Sequence, residues 1–196
     1  QYLRDHGFDG DNPWESWANT VTDHDGALRS GWFLKYSNLP ARVPDEHSET
    51  PYTTSRAMDF MRDAQQQGSP PWVLHLSYIK PHWPYVVPEP YASMYRPEDA
   101  LPVVRSDAEL QDDAHPVYAA MTRHRVSRTF AQTEVRDAVM VGYMGLIKQI
   151  DDQLGRLFAF MTERGIMDET MIVFCADHGD FLGDHWLGDK EMLRWF

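Results

Sequence analysis

The feature that most restricts the fold is a long apolar stripe that ends at a glycine and is followed at once by a short apolar run. From about Thr133 to Arg164, the residues Val135, Val139, Tyr143, Leu146, Ile150, Leu154, Leu157 and Met161 recur every three or four positions. That period places them on one face of a helix. Gly165 stands where a C-terminal cap belongs. Residues Thr170 to Ala176 (Thr-Met-Ile-Val-Phe-Cys-Ala) then read as a buried strand, because a short continuous apolar run between turn residues suits a covered sheet. A stripe this long needs a second layer to cover it.

The same succession occurs upstream. Thr53 and Thr54 are candidate helix N-caps. Ala57, Phe60, Met61 and Ala64 follow at helical spacing, and Gly68-Ser69-Pro70 stops the run. Trp72 to Ile79 reads as a second buried strand, with His75 as a core histidine, and Lys80-Pro81-His82-Trp83-Pro84 ends it. Residues 1–50 carry turn signals at Asp9-Gly10 and Asn12-Pro13 and predict an ordered loop with short helices. Residues 106–130 are polar and locally helical, with Ser106 and Glu109 spaced as a capping box. Helix, strand, irregular insert, helix, strand predicts an α/β fold with a mainly parallel sheet flanked by helices. Ligands of open α/β sheets sit beyond the carboxyl ends of strands. Lys80 to His82 and Asp177 to Lys190 both fall there.

Charge narrows the partners. Lys and Arg number 18 against 30 Asp and Glu, a net charge of -12. Such a surface repels a phosphate backbone, so no nucleic-acid partner is expected. An anionic small molecule is still admissible, since a metal and a few placed cations reverse the local field. No apolar run reaches the roughly 18 residues of a membrane span, so no membrane partner is expected either. Cys175 is the single cysteine, which rules out a disulfide within the chain and suits a reducing, cytoplasmic setting. Its apolar neighbours predict that it is buried.

Asp177 and His178 stand where the second strand ends. A carboxylate and an imidazole leaving a sheet together can reach one cation, and divalent metals accept such mixed ligands. Asp-His-Gly-Asp is equally good turn chemistry. The surroundings sharpen the metal reading. Ala176 to Lys190 holds four acidic residues, two His, three Gly and one Lys in 15 positions, directly after an apolar strand. Simpler readings stand beside the chemical ones. His82 could pack on Trp83, and Lys190 could be an ordinary surface lysine. His185 reads as support for a metal site, and Asp151 and Asp152 as a solvated helix face.

The run Asp177-His178-Gly179-Asp180-Phe181-Leu182-Gly183-Asp184-His185 resembles the C-terminal metal motif of the sulfatase branch of the alkaline phosphatase superfamily. There the strand ends in Asp-His-Gly-(Asp/Glu) and continues Leu-Gly-Asp-His. Ser77 to Tyr85, with Pro88-Glu89-Pro90-Tyr91 and Met94-Tyr95, is similar to a second block of that family, nearest to its phosphonate monoester hydrolases and phosphodiesterases. Tyr143 to Ile147 with Ile150 to Arg156 looks like the long helix between the blocks, and Tyr2 to Asp9 fits the segment before them.

The resemblance implies an alkaline-phosphatase-like sandwich and a hydrolase of phosphonate monoesters, phosphodiesters or sulfate esters. It implies one divalent metal ion (Mn, Ca, Mg or Zn) held partly by Asp177 and His178. His82 would contact the substrate oxygens or leaving group as donor or general acid, and Lys190 a non-bridging oxygen; Lys80 is a further substrate-binding candidate. The partner would be a small anionic ester, with a homo-oligomer left open. The family's formylglycine nucleophile arises within Cys-x-Pro-x-Arg, which this chain lacks. Gln1 is not Met, no signal peptide is visible, and both ends read as cuts. The expectation is therefore that residues 1–196 are the C-terminal portion of a larger catalytic domain. The alternative is a non-catalytic relative that binds metal or an anion.

Overall fold

The computed structural model describes residues 1–66, 71–111, 113–188 and 190. Chain order begins with α1 (Tyr2–Asp5) and a π-helical turn at Trp14–Ala18. A short antiparallel hairpin follows, β1 (Thr20–Thr22) and β2 (Leu28–Ser30), with Thr20 opposite Ser30 and Thr22 opposite Leu28. Then come α2 (Glu49–Gln66), α3 (Pro116–Arg123), α4 (Arg125–Phe130) and α5 (Thr133–Glu163). Short 3-10 turns fill the segments between. No described helix is long and apolar enough to cross a membrane.

The stripe on α5 behaves as its spacing predicts. Val135, Val139, Leu146, Leu157 and Met161 are buried, and Tyr143, Ile150 and Leu154 are half-buried. Its end is a full Schellman cap: Gly165 N–H donates to the Thr162 carbonyl, Ile166 N–H to the Met161 carbonyl, and Gly165 takes φ +68°. The stripe divides between two cores. Its first half packs with Leu34, Tyr85, Val87, Tyr91 and Phe130. Its second half packs against Ala57 and Met61 of α2, with Trp72, Leu74 and Leu76 on the flank.

Two glycines of α5 set how near the 85–92 segment can come. A Cβ at Gly142 would lie 2.3 Å from the Tyr85 carbonyl oxygen and 2.4 Å from that of Ser37. One at Gly145 would lie 2.6 Å from the Tyr91 carbonyl oxygen. Backbone therefore rests directly on the helix, and Tyr85 and Val87 are carried into the core beside it.

Several sequence expectations need correction. The helix predicted from Thr53 begins at Glu49, where Tyr52 N–H donates to the Ser48 carbonyl. Pro51 suits the first turn, whose N–H groups have no intrahelical acceptor. Thr53 and Thr54 are not caps; their hydroxyls donate back to the Glu49 and Thr50 carbonyls. The stop at Gly68-Ser69-Pro70 lies outside the described residues. The two predicted strands carry no ladder, and β1–β2 is the only sheet among the described residues. The mainly parallel sheet is thus not formed within them. Residues 72–79 do keep a strand's period of two. Trp72, Leu74, Leu76 and Tyr78 are half-buried, while Val73 (95% exposed), His75, Ser77 and Ile79 face out. His75 is therefore not a core histidine. Met171, Val173, Phe174 and Cys175 are exposed too, so Cys175 is not buried. Apolar composition predicts burial only where a second layer covers the run, and no described residue covers this one.

The glycine contacts can be tested. Gly142→Ala should destabilise the chain by about 1–3 kcal/mol, the usual cost of overpacking, as read by urea unfolding. Gly155→Ala, with open space around the new methyl, should be neutral or stabilising by about 0.5–1 kcal/mol.

Candidate active site

The residues after Ala176 gather donors at one end of α5. His178 Nδ1 donates to the Gly179 carbonyl at 3.0 Å, which leaves Nε2 as the nitrogen a metal could use. That Nε2 lies 3.3 Å from Asp177 Oδ2. Asp177 Oδ1 accepts the His178 backbone N–H at 2.9 Å. This bond holds the Asp177 carboxyl below the usual carboxylate range, aided by the charges of His178 and Lys190. Its side chain is 86% exposed. A cation bound to oxygen and nitrogen at about 2.0–2.6 Å can bridge two donors this far apart, so the pair fits a divalent metal. Among the described residues no group of three or more His, Cys, Asp or Glu side chains converges. The pair would supply two ligands of a larger set.

Lys190 is not a surface residue. Its Nζ lies 3.9 Å from Asp180 Oδ1, and both side chains are only 5% exposed. Asp180 Oδ2 accepts the Tyr85 hydroxyl at 3.2 Å. Tyr85 is fully buried between Phe130 and Tyr143, with both rings edge-on. It links the 80s segment to the loop after Asp177. A charge pair out of water needs hydrogen-bonded neighbours, and the tyrosine supplies one.

Residues 181–187 are clamped by the 104–109 segment. His185 N–H donates to the Val104 carbonyl at 2.7 Å, Val104 N–H to Asp184 Oδ1 at 2.9 Å, and Trp186 Nε1 to the Ser106 carbonyl at 2.8 Å. Ser106 and Glu109 form the predicted capping box. Arg105 stacks over Trp186 with its guanidinium carbon 4.4 Å from the ring centre. Leu182, His185 and Trp186 all take positive φ, near +51°, +52° and +60°. Side chains rarely adopt that conformation without surrounding restraint. His185 Nδ1 pairs with Glu109 at 3.2 Å, so it braces the loop against the 104–109 segment.

Lys80 and His82 line one cleft, together with Trp14, Glu15, Asn19, Trp32, Glu49, Ile79, Trp83 and Pro84. None of Asp177, His178 and Lys190 is in its described wall. The five predicted residues thus form two groups, joined through Tyr85. His82 Nδ1 bonds the Trp83 carbonyl, leaving Nε2 as the free nitrogen. Lys80 Nζ donates to the Pro84 carbonyl at 2.7 Å. Burial pulls its pKa down to about 8, against the opposing pull of Glu49. Burial likewise pushes the Glu49 carboxyl up, with Lys80 holding it back. Nothing in the sequence marked Glu49 or Asn19, which reach the cleft from distant turns. Asp151 and Asp152 are exposed and pair with Lys148, as a solvated helix face should.

A family model described as Sulfatase matches residues 1–195. The chain belongs to that family, within the alkaline phosphatase superfamily. It is 34% identical over 169 residues to the multifunctional alkaline phosphatase superfamily protein PehA of Trinickia caryophylli, covering 79% of this chain and 32% of that protein. It is 30% identical to an arylsulfatase of Clostridium perfringens, over 69% of this chain and 27% of the relative. The phosphonate monoester hydrolase of Silicibacter pomeroyi superposes with a TM-score of 0.80 at 30% identity, over 96% of this chain and 37% of that one. The likeness supports an α/β, alkaline-phosphatase-like fold. The chain spans roughly a third of the length of these relatives.

The Lys80 environment predicts a pH signature. Between pH 8 and its ordinary value of 10.5, Lys80 binds fewer protons folded than unfolded. Stability rises with pH wherever the unfolded state binds more protons. Against a Lys80→Met variant, the wild type should therefore gain stability as pH rises from 8 towards 10, as read by urea unfolding at each pH.

Proposed function

We propose that this chain supplies the C-terminal part of the active site of a metal-dependent ester hydrolase acting on phosphonate monoesters, phosphodiesters or sulfate esters. The observation that carries the reading is Asp177 Oδ2 and His178 Nε2 converging at 3.3 Å beside the buried Lys190. The names of the relatives, sulfatases and phosphonate monoester hydrolases, point the same way.

In this reading Asp177 and His178 hold part of a divalent ion, Mn, Ca, Mg or Zn. Such an ion supplies positive charge that screens a tetrahedral oxyanion and lowers the pKa of a bound nucleophile. Lys190, held by Asp180, presents its ammonium to a non-bridging oxygen, where a pre-placed cation stabilises growing charge. His82 carries a proton on Nδ1 and leaves Nε2 towards the cleft. A protonated His82 donates from Nε2 to the departing oxygen as general acid. Lys80 adds a second cation near the leaving group. The nucleophile, of formylglycine type, and the remaining ligands belong to the part of the family's domain that this chain does not span. Strands from that part would cover Val73, Ile79, Met171 and Phe174 and complete a parallel sheet.

Calorimetric titration with Mn2+ tests the metal assignment. The wild type should bind, and His178→Ala should bind at least about tenfold more weakly, equivalent to roughly 1.4 kcal/mol. Equal affinity in the two proteins would sink the assignment.

A further inference from the structure

The cleft around Lys80 and His82 contains more unanswered polar groups than an anionic ester group accounts for. It has a volume of about 320 Å³, near the lower bound for organic-ligand pockets and enough for a single ring. Its walls come from the π-helical turn and Asn19, from Trp32 beyond β2, from the first residue of α2, and from residues 79–84. Three polar atoms of that wall are buried without a hydrogen-bond partner among the described residues: Asn19 Oδ1, Glu49 Oε2 and Trp83 Nε1. A buried polar group left unpaired costs about 1–3 kcal/mol, so three in one cleft argue for a ligand that answers them.

The lone acceptor on Asn19 is set by a relay. Asn19 is 2% exposed. Its Nδ2 donates to Glu15 Oε1 at 3.2 Å, while Glu15 Oε2 accepts the Trp32 indole N–H at 3.0 Å. Glu15 thereby uses both oxygens to orient the amide, and Oδ1 is what remains.

Charge and shape select the ligand class. The wall holds two carboxylates, Glu15 and Glu49, opposite one ammonium, Lys80, and the His82 imidazole. An anion faces the carboxylates and a cation faces the ammonium. A hydroxyl donates and accepts, so it can pair with Asn19 Oδ1 and Glu49 Oε2 on one side and with Trp83 Nε1 and Lys80 on the other. Indole rings give the apolar part of the wall: Trp14, Trp32 and Trp83, the last two with ring centres 6.0 Å apart. Flat aromatic faces suit the C–H face of a saturated ring.

We propose that this cleft binds a neutral, hydroxyl-bearing saturated ring, with Asn19, Glu49 and Trp83 as its polar contacts. That this ring is the alcohol part of the ester rests on the hydrolase reading above; the binding itself does not.

The probe is an uncharged methyl hexopyranoside, which carries no ester and so reports the cleft independently of hydrolysis. Titration is followed by tryptophan fluorescence and confirmed by equilibrium dialysis. The expected result is saturable binding that weakens about tenfold in Trp83→Phe, as loss of one hydrogen bond in a dry site implies. That variant keeps an aromatic ring and breaks no hydrogen bond of the chain, so its thermal midpoint should hold. Asn19→Ser is the second variant and should weaken binding similarly. No saturation up to the solubility of the glycoside would overturn the proposal and assign water alone to the cleft. So would unchanged affinity in both variants, or tighter binding of tetramethylammonium that the glycoside cannot displace.

Discussion

The structure depends on backbone lying directly on a helix. At Gly142 and Gly145 the carbonyls of Tyr85 and Tyr91 come closer than any Cβ permits. That approach seals the first core and sets the height of the 80s segment over α5. Two consequences follow along the chain. Going back from Tyr85, residues 80–84 are held over the cleft that contains Lys80 and His82. Going outward, the Tyr85 hydroxyl reaches Asp180, which in turn holds Lys190. One packing contact therefore governs both groups of candidate site residues.

The electrostatics act locally against the overall charge. A net charge of -12 disfavours anions at long range. Screening limits that field to about 10 Å at 0.1 M salt, so the field within the site is decided by the side chains nearby. Lys190 sits beside Asp180, with both side chains buried. Burial draws the pKa of Lys80 down to about 8. The two lysines are therefore different tools. The first is paired with a buried carboxylate, and the second can lose its proton just above neutrality.

Much of this was legible in the sequence, and the exceptions have physical causes. α5 was readable because eight stripe residues and Gly165 agree on one face and one end. The closeness of Asp177 and His178 was readable because adjacent residues need no tertiary information to approach each other. The start of α2 was not, since Thr53 and Thr54 bond their own helix instead of capping it. The β1–β2 hairpin was missed because three-residue strands with only Val21 buried leave no alternation to count. His75 and Cys175 were misread because the apolar pattern says which side chains want cover, not whether a neighbour provides it. Lys190's burial and the meeting of Asn19, Glu49 and Trp83 are products of packing between distant segments.

Tyr85 couples the two blocks through Asp180. A double-mutant cycle of Tyr85→Phe and Asp180→Ala, read by urea unfolding, tests it most directly. Contacting residues usually show coupling of about 0.5–3 kcal/mol, and a value in that range is predicted here. Additivity within about 0.3 kcal/mol, the behaviour of independent sites, would contradict the account.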